Sequence, residues 1–148
     1  LLEITSRYQV SPRYIVLEIL ESLAYENIAE LNSTIARLHQ AGFRVSMDDF
    51  GSGYSSLNTL GKLHIDQIKL DRMFLMDVRA DERSSQNEVM RLIFVLAEKL
   101  GIETVTEGVE TQGDEVLIQS MECDYGQGYY YSKPIPATDF CNAFLKKT

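Results

Sequence analysis

Glu18, Asp48, Asp49, Lys69 and Glu107 are the residues of this chain whose types and placement could do chemistry. Four of them stand where a short apolar run meets a loop, in the words Tyr14-Ile-Val-Leu-Glu18, Val45-Ser-Met-Asp48-Asp49-Phe-Gly51, Ile65-Asp-Gln-Ile-Lys69 and Val105-Thr-Glu107. Each run reads as a buried strand ending in charge. In a barrel of repeated strand–helix units, side chains from many strands converge only on the face where the strands finish. Carboxylates without His or Cys among them form an all-oxygen set, which suits Mg²⁺ or Mn²⁺ better than zinc or iron. Asp48 and Asp49 are consecutive, so one can point into the barrel while the other leaves the strand toward the loop, and the two can serve two metals. A metal pair about 3.5 to 4 Å apart lowers the pKa of a bridging water and braces the attacking and leaving oxygens of a phosphoryl transfer. An ammonium such as Lys69, held among carboxylates, stays charged and can orient that water or neutralise charge building on a phosphate.

Each of these residues also has a plainer reading. A lone charge at a strand end is more often a solvated boundary or a helix cap; four in register make the functional reading worth pursuing. The segment from Asp48 to Leu57 could be only a capped turn, with Gly51 and Gly53 at positive φ and a serine capping the next helix. His39 and His64 have no partners at ligand spacing and read as surface or boundary residues. The run Tyr129-Tyr130-Tyr131 could stack on a base, although core packing of alternate rings is the simpler account. Cys123 and Cys141 fit neither a metal spacing nor a disulfide framework, and read as free buried thiols.

The elements that must position the charges alternate between strand and helix. After Glu18, Ile28, Leu31, Ile35 and Leu38 recur at spacings of three and four, one apolar helical face, and Gly42 is the expected stop. A short helix carries Leu57, Leu60 and Leu63 toward the strand of Lys69. Val89, Leu92, Ile93, Leu96 and Leu100 mark a longer helix closed by Gly101. Thr111 is the expected N-cap of a helix through Met121, Tyr125 to Tyr131 is strand-like or loop, and Thr138 caps a last helix with Phe140 and Phe144. About five strand–helix units imply an α/β fold with a parallel sheet and right-handed crossovers.

The chain has 148 residues and a formal charge of −8. That charge argues against a broad basic face for a nucleic acid polymer, though a small anion could bind through metal ions. No apolar stretch approaches the roughly 18 to 20 residues of a membrane span, and no signal peptide is legible, so a cytoplasmic location is expected.

Five words occur together in order: Leu17-Glu-Ile-Leu-Glu-Ser22, Asp48-Asp-Phe-Gly-Ser-Gly-Tyr-Ser-Ser-Leu57, Ile68-Lys-Leu-Asp71, Glu107-Gly-Val-Glu110 and Gln127-Gly-Tyr-Tyr-Tyr-Ser-Lys-Pro134. Over nearly its whole length the chain resembles the EAL-domain family of cyclic di-GMP phosphodiesterases. The resemblance implies a TIM-like (β/α) barrel that hydrolyses one phosphodiester bond of cyclic di-GMP, giving the linear dinucleotide, with two Mg²⁺ or Mn²⁺ ions. It makes Glu18 a ligand of the first metal, Asp48 the bridging ligand, Asp49 a ligand of the second, and Glu107 a second-metal ligand or the water-activating base. Lys69 becomes the water-orienting lysine, Glu21 the glutamate that steadies the loop after Asp49, and Glu110 and Gln127 supporting residues of the substrate site. It also implies homodimers and an upstream sensor or cyclase domain.

A complete barrel of this type needs roughly 250 residues. Residues 1–148 therefore read as the C-terminal portion of a single EAL domain, an incomplete barrel without the N-terminal strands. The Glu-Ala-Leu signature and an asparagine ligand have no counterpart here: Leu1-Leu2-Glu3 lies too close to the first strand, with Glu3 expected at the end of a preceding helix. Two expectations follow, an enzyme in the complete domain with little activity from this piece alone, or a non-catalytic cyclic di-GMP-binding or interaction module. An open barrel should also expose two strand edges and an apolar, hydrogen-bonding inner face, and so self-associate.

Overall fold

Strand order in the sheet follows chain order. The computed structural model describes residues 1–23, 27–51, 57–80 and 85–145. Within them β1 (Val16–Leu20), β2 (Arg44–Phe50), β3 (Gln67–Leu70), β4 (Glu103–Glu107) and β5 (Tyr125–Gln127) each pair in parallel with the next. Helix α1 (Leu2–Arg7) precedes them, and α2 (Ile28–Gln40), α3 (Leu57–Leu60), α4 (Met73–Ala80), α5 (Ser85–Leu100) and α6 (Gln112–Ser120) lie in the crossovers. After β5 come α7 (Ala137–Phe140) and a π-helical turn, Cys141–Leu145. A sheet that never reverses its order is wound in one direction, as in a (β/α) barrel, whereas a doubly wound sheet changes direction at a switch point.

The pleat separates two faces. Val45, Met47, Ile68 and Leu70, each at most 1% exposed, pack with Ile35 of α2, Leu75 of α4, Met90 and Phe94 of α5 and Ile118 of α6 in one core. The alternate positions Glu18, Ser46, Asp48, Gln67, Lys69 and Glu107 take the other face, which is polar. Of its apolar members, Val16, Leu20 and Tyr125 lie on the two edge strands and are exposed, whereas Val105, opposite Lys69 on β4, is buried. The expected apolar inner face is thus mostly polar, with Val105 as an apolar residue on a central strand.

Local signals place several boundaries. Asn27 caps α2, its side chain accepting from the Glu30 N–H at 3.1 Å. Thr111 caps α6 as expected, in a capping box closed by Asp114. Gly42 and Gly101 take left-handed φ and follow α2 and α5.

Other expectations need correction. β1, β2 and β3 run past their charged residues to Leu20, Phe50 and Leu70, so of the four only Glu107 ends a strand. β1 is a half-exposed edge rather than a buried strand. α5 buries Met90, Ile93, Phe94 and Ala97, while Val89, Leu92 and Leu100 are exposed; several apolar residues ring this helix, so its sequence alone did not select the buried stripe. The last helix has Pro136 rather than Thr138 at its N-cap, because the Pro136 carbonyl already accepts from the Asp139 and Phe140 N–H groups and leaves Thr138 inside the first turn. Glu3 falls in the first turn of α1 rather than at its end. Cys123 is half-buried and Cys141 exposed, and all three rings of Tyr129, Tyr130 and Tyr131 are exposed. His39 is a boundary residue but has a partner, Asp66 Oδ2 at 2.8 Å. Gly53 and the serines of the Asp48–Leu57 segment lie outside the described residues.

Candidate metal and catalytic site

Consecutive residues of a regular strand point to opposite faces. Asp48 and Asp49 escape that rule because β2 is irregular: its register against β3 shifts between Met47 and Phe50, and Asp49 adopts φ 55°. Asp tolerates this left-handed region better than most residues. The two carboxylates are thereby brought together with Glu107, from the end of β4, and each of the three offers an oxygen within 4.8 Å of the others. Asp49 therefore joins the cluster rather than leaving it for the loop.

Lys69 rises between them from β3. Its Nζ lies 2.8 Å from Glu18 Oε1, 2.8 Å from Asp48 Oδ1 and 2.7 Å from Glu107 Oε1. Burial by itself would lower the lysine pKa, but the hydrogen bonds to Asp48, Glu107 and Glu18 outweigh it and hold the ammonium well above the usual lysine range. Lys69 thus stays charged at neutral pH and cannot serve there as a base. Asp49 is pushed up from the ordinary carboxylate range, first by burial and then by the charges of Asp48 and Asp71, with Lys69 opposing. One buried ammonium does not neutralise this group of acids. An all-oxygen set left short of positive charge fits a hard divalent cation. Glu18 differs from the others: its side chain is 50% exposed, against 22% for Asp48 and 23% for Glu107, because β1 has no neighbour on its outer side in the described sheet.

Beyond the cluster, Glu21 is buried and accepts a hydrogen bond from the Gly51 N–H at 3.2 Å, which ties the end of β1 to the residue after β2. Gln127 stands opposite Glu107 in the β4–β5 register, and its carbonyl accepts from the Val109 N–H. Glu110 is exposed, and its N–H donates to Asp114 Oδ2 at 3.0 Å; it is not in the trio of carboxylates. Gly128 permits this approach, because a Cβ there would lie 2.0 Å from the Val109 carbonyl oxygen.

Asp71 is a further acidic residue beside the site. It accepts from the Met73 N–H at 2.7 Å at the start of α4, and its charge bears on Asp49. Its signal was present, since it stands two residues beyond Lys69 and so on the same side of an extended chain.

The family model described as the EAL domain matches residues 1–134. Among curated relatives, the cyclic di-GMP phosphodiesterase NbdA of Pseudomonas aeruginosa is 38% identical over 123 residues, 83% of this chain and 16% of that protein. Among solved structures, the PaMucR phosphodiesterase in complex with c-di-GMP is 30% identical with TM-score 0.84, covering 93% of this chain and 55% of that one. A manganese and cy-diGMP complex of Klebsiella pneumoniae BlrP1 is 27% identical with TM-score 0.81, covering 90% and 33%. The chain thus spans about half or less of each of these proteins.

Proposed function

The chain belongs to the EAL-domain family, and on that footing we propose that it supplies the C-terminal part of a phosphodiesterase that opens cyclic di-GMP to the linear dinucleotide. The observation that carries the reading is the convergence of Asp48, Asp49 and Glu107 within 4.8 Å around the buried cation of Lys69.

In this reading Glu18, Asp48, Asp49 and Glu107 hold Mg²⁺ or Mn²⁺. Such ions, when bound, neutralise phosphate charge and make water a better nucleophile. The protein's own groups supply position and proton traffic. Asp48 and Glu107 fix Lys69 in the cluster, where its permanent charge favours an anionic phosphodiester over a neutral ligand. A water oxygen forms a bond to phosphorus as one ester P–O bond breaks. Glu107, at the end of β4, takes the water proton, and solvent water returns one to the departing sugar oxygen. Asp71 and Glu21 act indirectly, through the charge on Asp49 and the backbone at Gly51. Glu110 and Gln127 border the substrate, Gln127 from beside Glu107.

A second reading, a cyclic di-GMP-binding or interaction module, is favoured by the half-exposed Glu18 on an edge strand. An exposed ligand binds a metal less firmly than one braced on both sides. Calorimetric titration with cyclic di-GMP in Mg²⁺, followed by chromatography for the linear product, separates the two. Product from the 148-residue chain would establish the enzyme in this piece. Binding without product is the expected result, with turnover restored when the domain is complete. Absence of both from the complete domain would sink the proposal.

A further inference from the structure

An ammonium carries three donor hydrogens and no acceptor. At Lys69 all three are committed, to Glu18 Oε1 at 2.8 Å, Asp48 Oδ1 at 2.8 Å and Glu107 Oε1 at 2.7 Å. The residue is only 7% exposed, so little solvent shares in this arrangement. In this state Lys69 has no donor left for a water or a phosphate oxygen. Two of its partners, Asp48 and Glu107, are at the same time members of the trio able to hold a cation.

We propose that Lys69 is a tethered stand-in for a divalent cation, which releases Asp48 or Glu107 only when a bound ion takes over their charge, and thereby frees a donor for the substrate phosphate. The inference rests on the reading above for the identities of metal and substrate, and adds an order of events, cation before nucleotide. The physical reason is competition among charges. Without the lysine, four neighbouring carboxylates repel one another at close range, so the metal-free fold needs it. A doubly charged ion offers those oxygens more than one ammonium can, and the lysine stem keeps the displaced group close by. Two cations that compete for the same oxygens weaken each other. A cation that frees a donor for the nucleotide strengthens nucleotide binding, and by linkage the nucleotide strengthens cation binding by the same factor.

The test is calorimetric titration of the full-length protein and its Lys69→Met variant with MgCl₂ alone. The variant is expected to bind Mg²⁺ on the order of tenfold tighter and to melt at a lower temperature when metal-free. Equal or weaker binding by the variant, or no Mg²⁺ binding by either protein, would overturn the proposal. Should the variant not fold, ¹⁵N-lysine-labelled wild type decides the matter. The Lys69 side-chain signal, assigned with Lys69→Arg, should move as Mg²⁺ binds without nucleotide, and a stationary signal under bound Mg²⁺ overturns the idea. Neither arm contains cyclic di-GMP, so the two readings fail separately. Lys69 movement without later hydrolysis leaves the stand-in and removes the reaction, whereas hydrolysis with Lys69 immobile does the reverse.

Discussion

Lys69 and Asp49 carry opposite lessons about charge in the same site. The lysine pKa is raised, so its contribution to stability is fully present below the unfolded value of about 10.4 and is lost as pH rises through the higher folded value. Between pH 6 and 9 it does not titrate, and a pH–rate profile over that range should show no limb that Lys69→Arg displaces. Asp49 is also raised, but for an acid this means that the fold holds the ionised form at a cost. Its favourable contribution is present below the unfolded value of about 3.9 and is lost as pH rises through the folded one. Asp49→Asn should therefore raise the melting temperature of the metal-free protein at pH 7 while removing most of the further rise that Mg²⁺ produces. Thermal melts with and without Mg²⁺ measure both effects, and a lower metal-free melting temperature in the variant would count against this account. In the complete domain Lys69→Met should lower turnover on the order of 10² to 10³-fold, the scale for losing one preorganised charge at a phosphoryl group.

At the scale of elements, the strands present the charges and the segments after them hold the geometry. Residues after β5 lean on the chain after β4: the Tyr130 N–H donates to the Val109 carbonyl at 3.0 Å, and the Tyr131 hydroxyl donates to Glu115 on α6. Partial desolvation of the hydroxyl, followed by its bond to Glu115, raises the Tyr131 pKa although the residue is exposed. The stability it contributes is present below the unfolded value of about 10 and falls away as pH climbs through the folded one. Tyr131→Phe should remove a late step from an ultraviolet titration of the tyrosines. Gly128→Ala should cost about 1–3 kcal/mol by overpacking against Val109, read from denaturant midpoints. Loss of the Thr111 cap by Thr111→Ala should cost about 1 kcal/mol, and the similarity of these two losses would show that a close backbone approach matters as much here as a helix cap.

Among the described residues the sheet has two open edges, β1 and β5. No described strand pairs with the outer side of either edge, and beside them Leu20 is 53% and Tyr125 51% exposed. Strand edges of this kind pair with other chains unless they are covered. Self-association of the 148-residue chain is the expected result by light scattering, and a monomer in dilute solution would count against it. The polar face between the edges narrows where that contact can form, since Glu18, Asp48 and Lys69 gain nothing from burial against an apolar partner.

Several features were legible in the sequence because they depend on neighbours in the chain. The spacing of Ile28, Leu31, Ile35 and Leu38 is a helical face wherever the helix packs. Thr111 and Asp114 form their capping box with local backbone, and apolar runs meeting Asp48, Lys69 and Glu107 announce strands that carry charge. Tertiary structure decided what depends on distant partners. The slip of β2 against β3 placed Asp49 beside Asp48, because register is a property of two strands together. Three carboxylates from three strands consumed the donors of Lys69, a meeting that no local spacing encodes. The buried stripe of α5 was chosen by the sheet beneath it, since a helix with apolar residues on several sides has more than one face to offer.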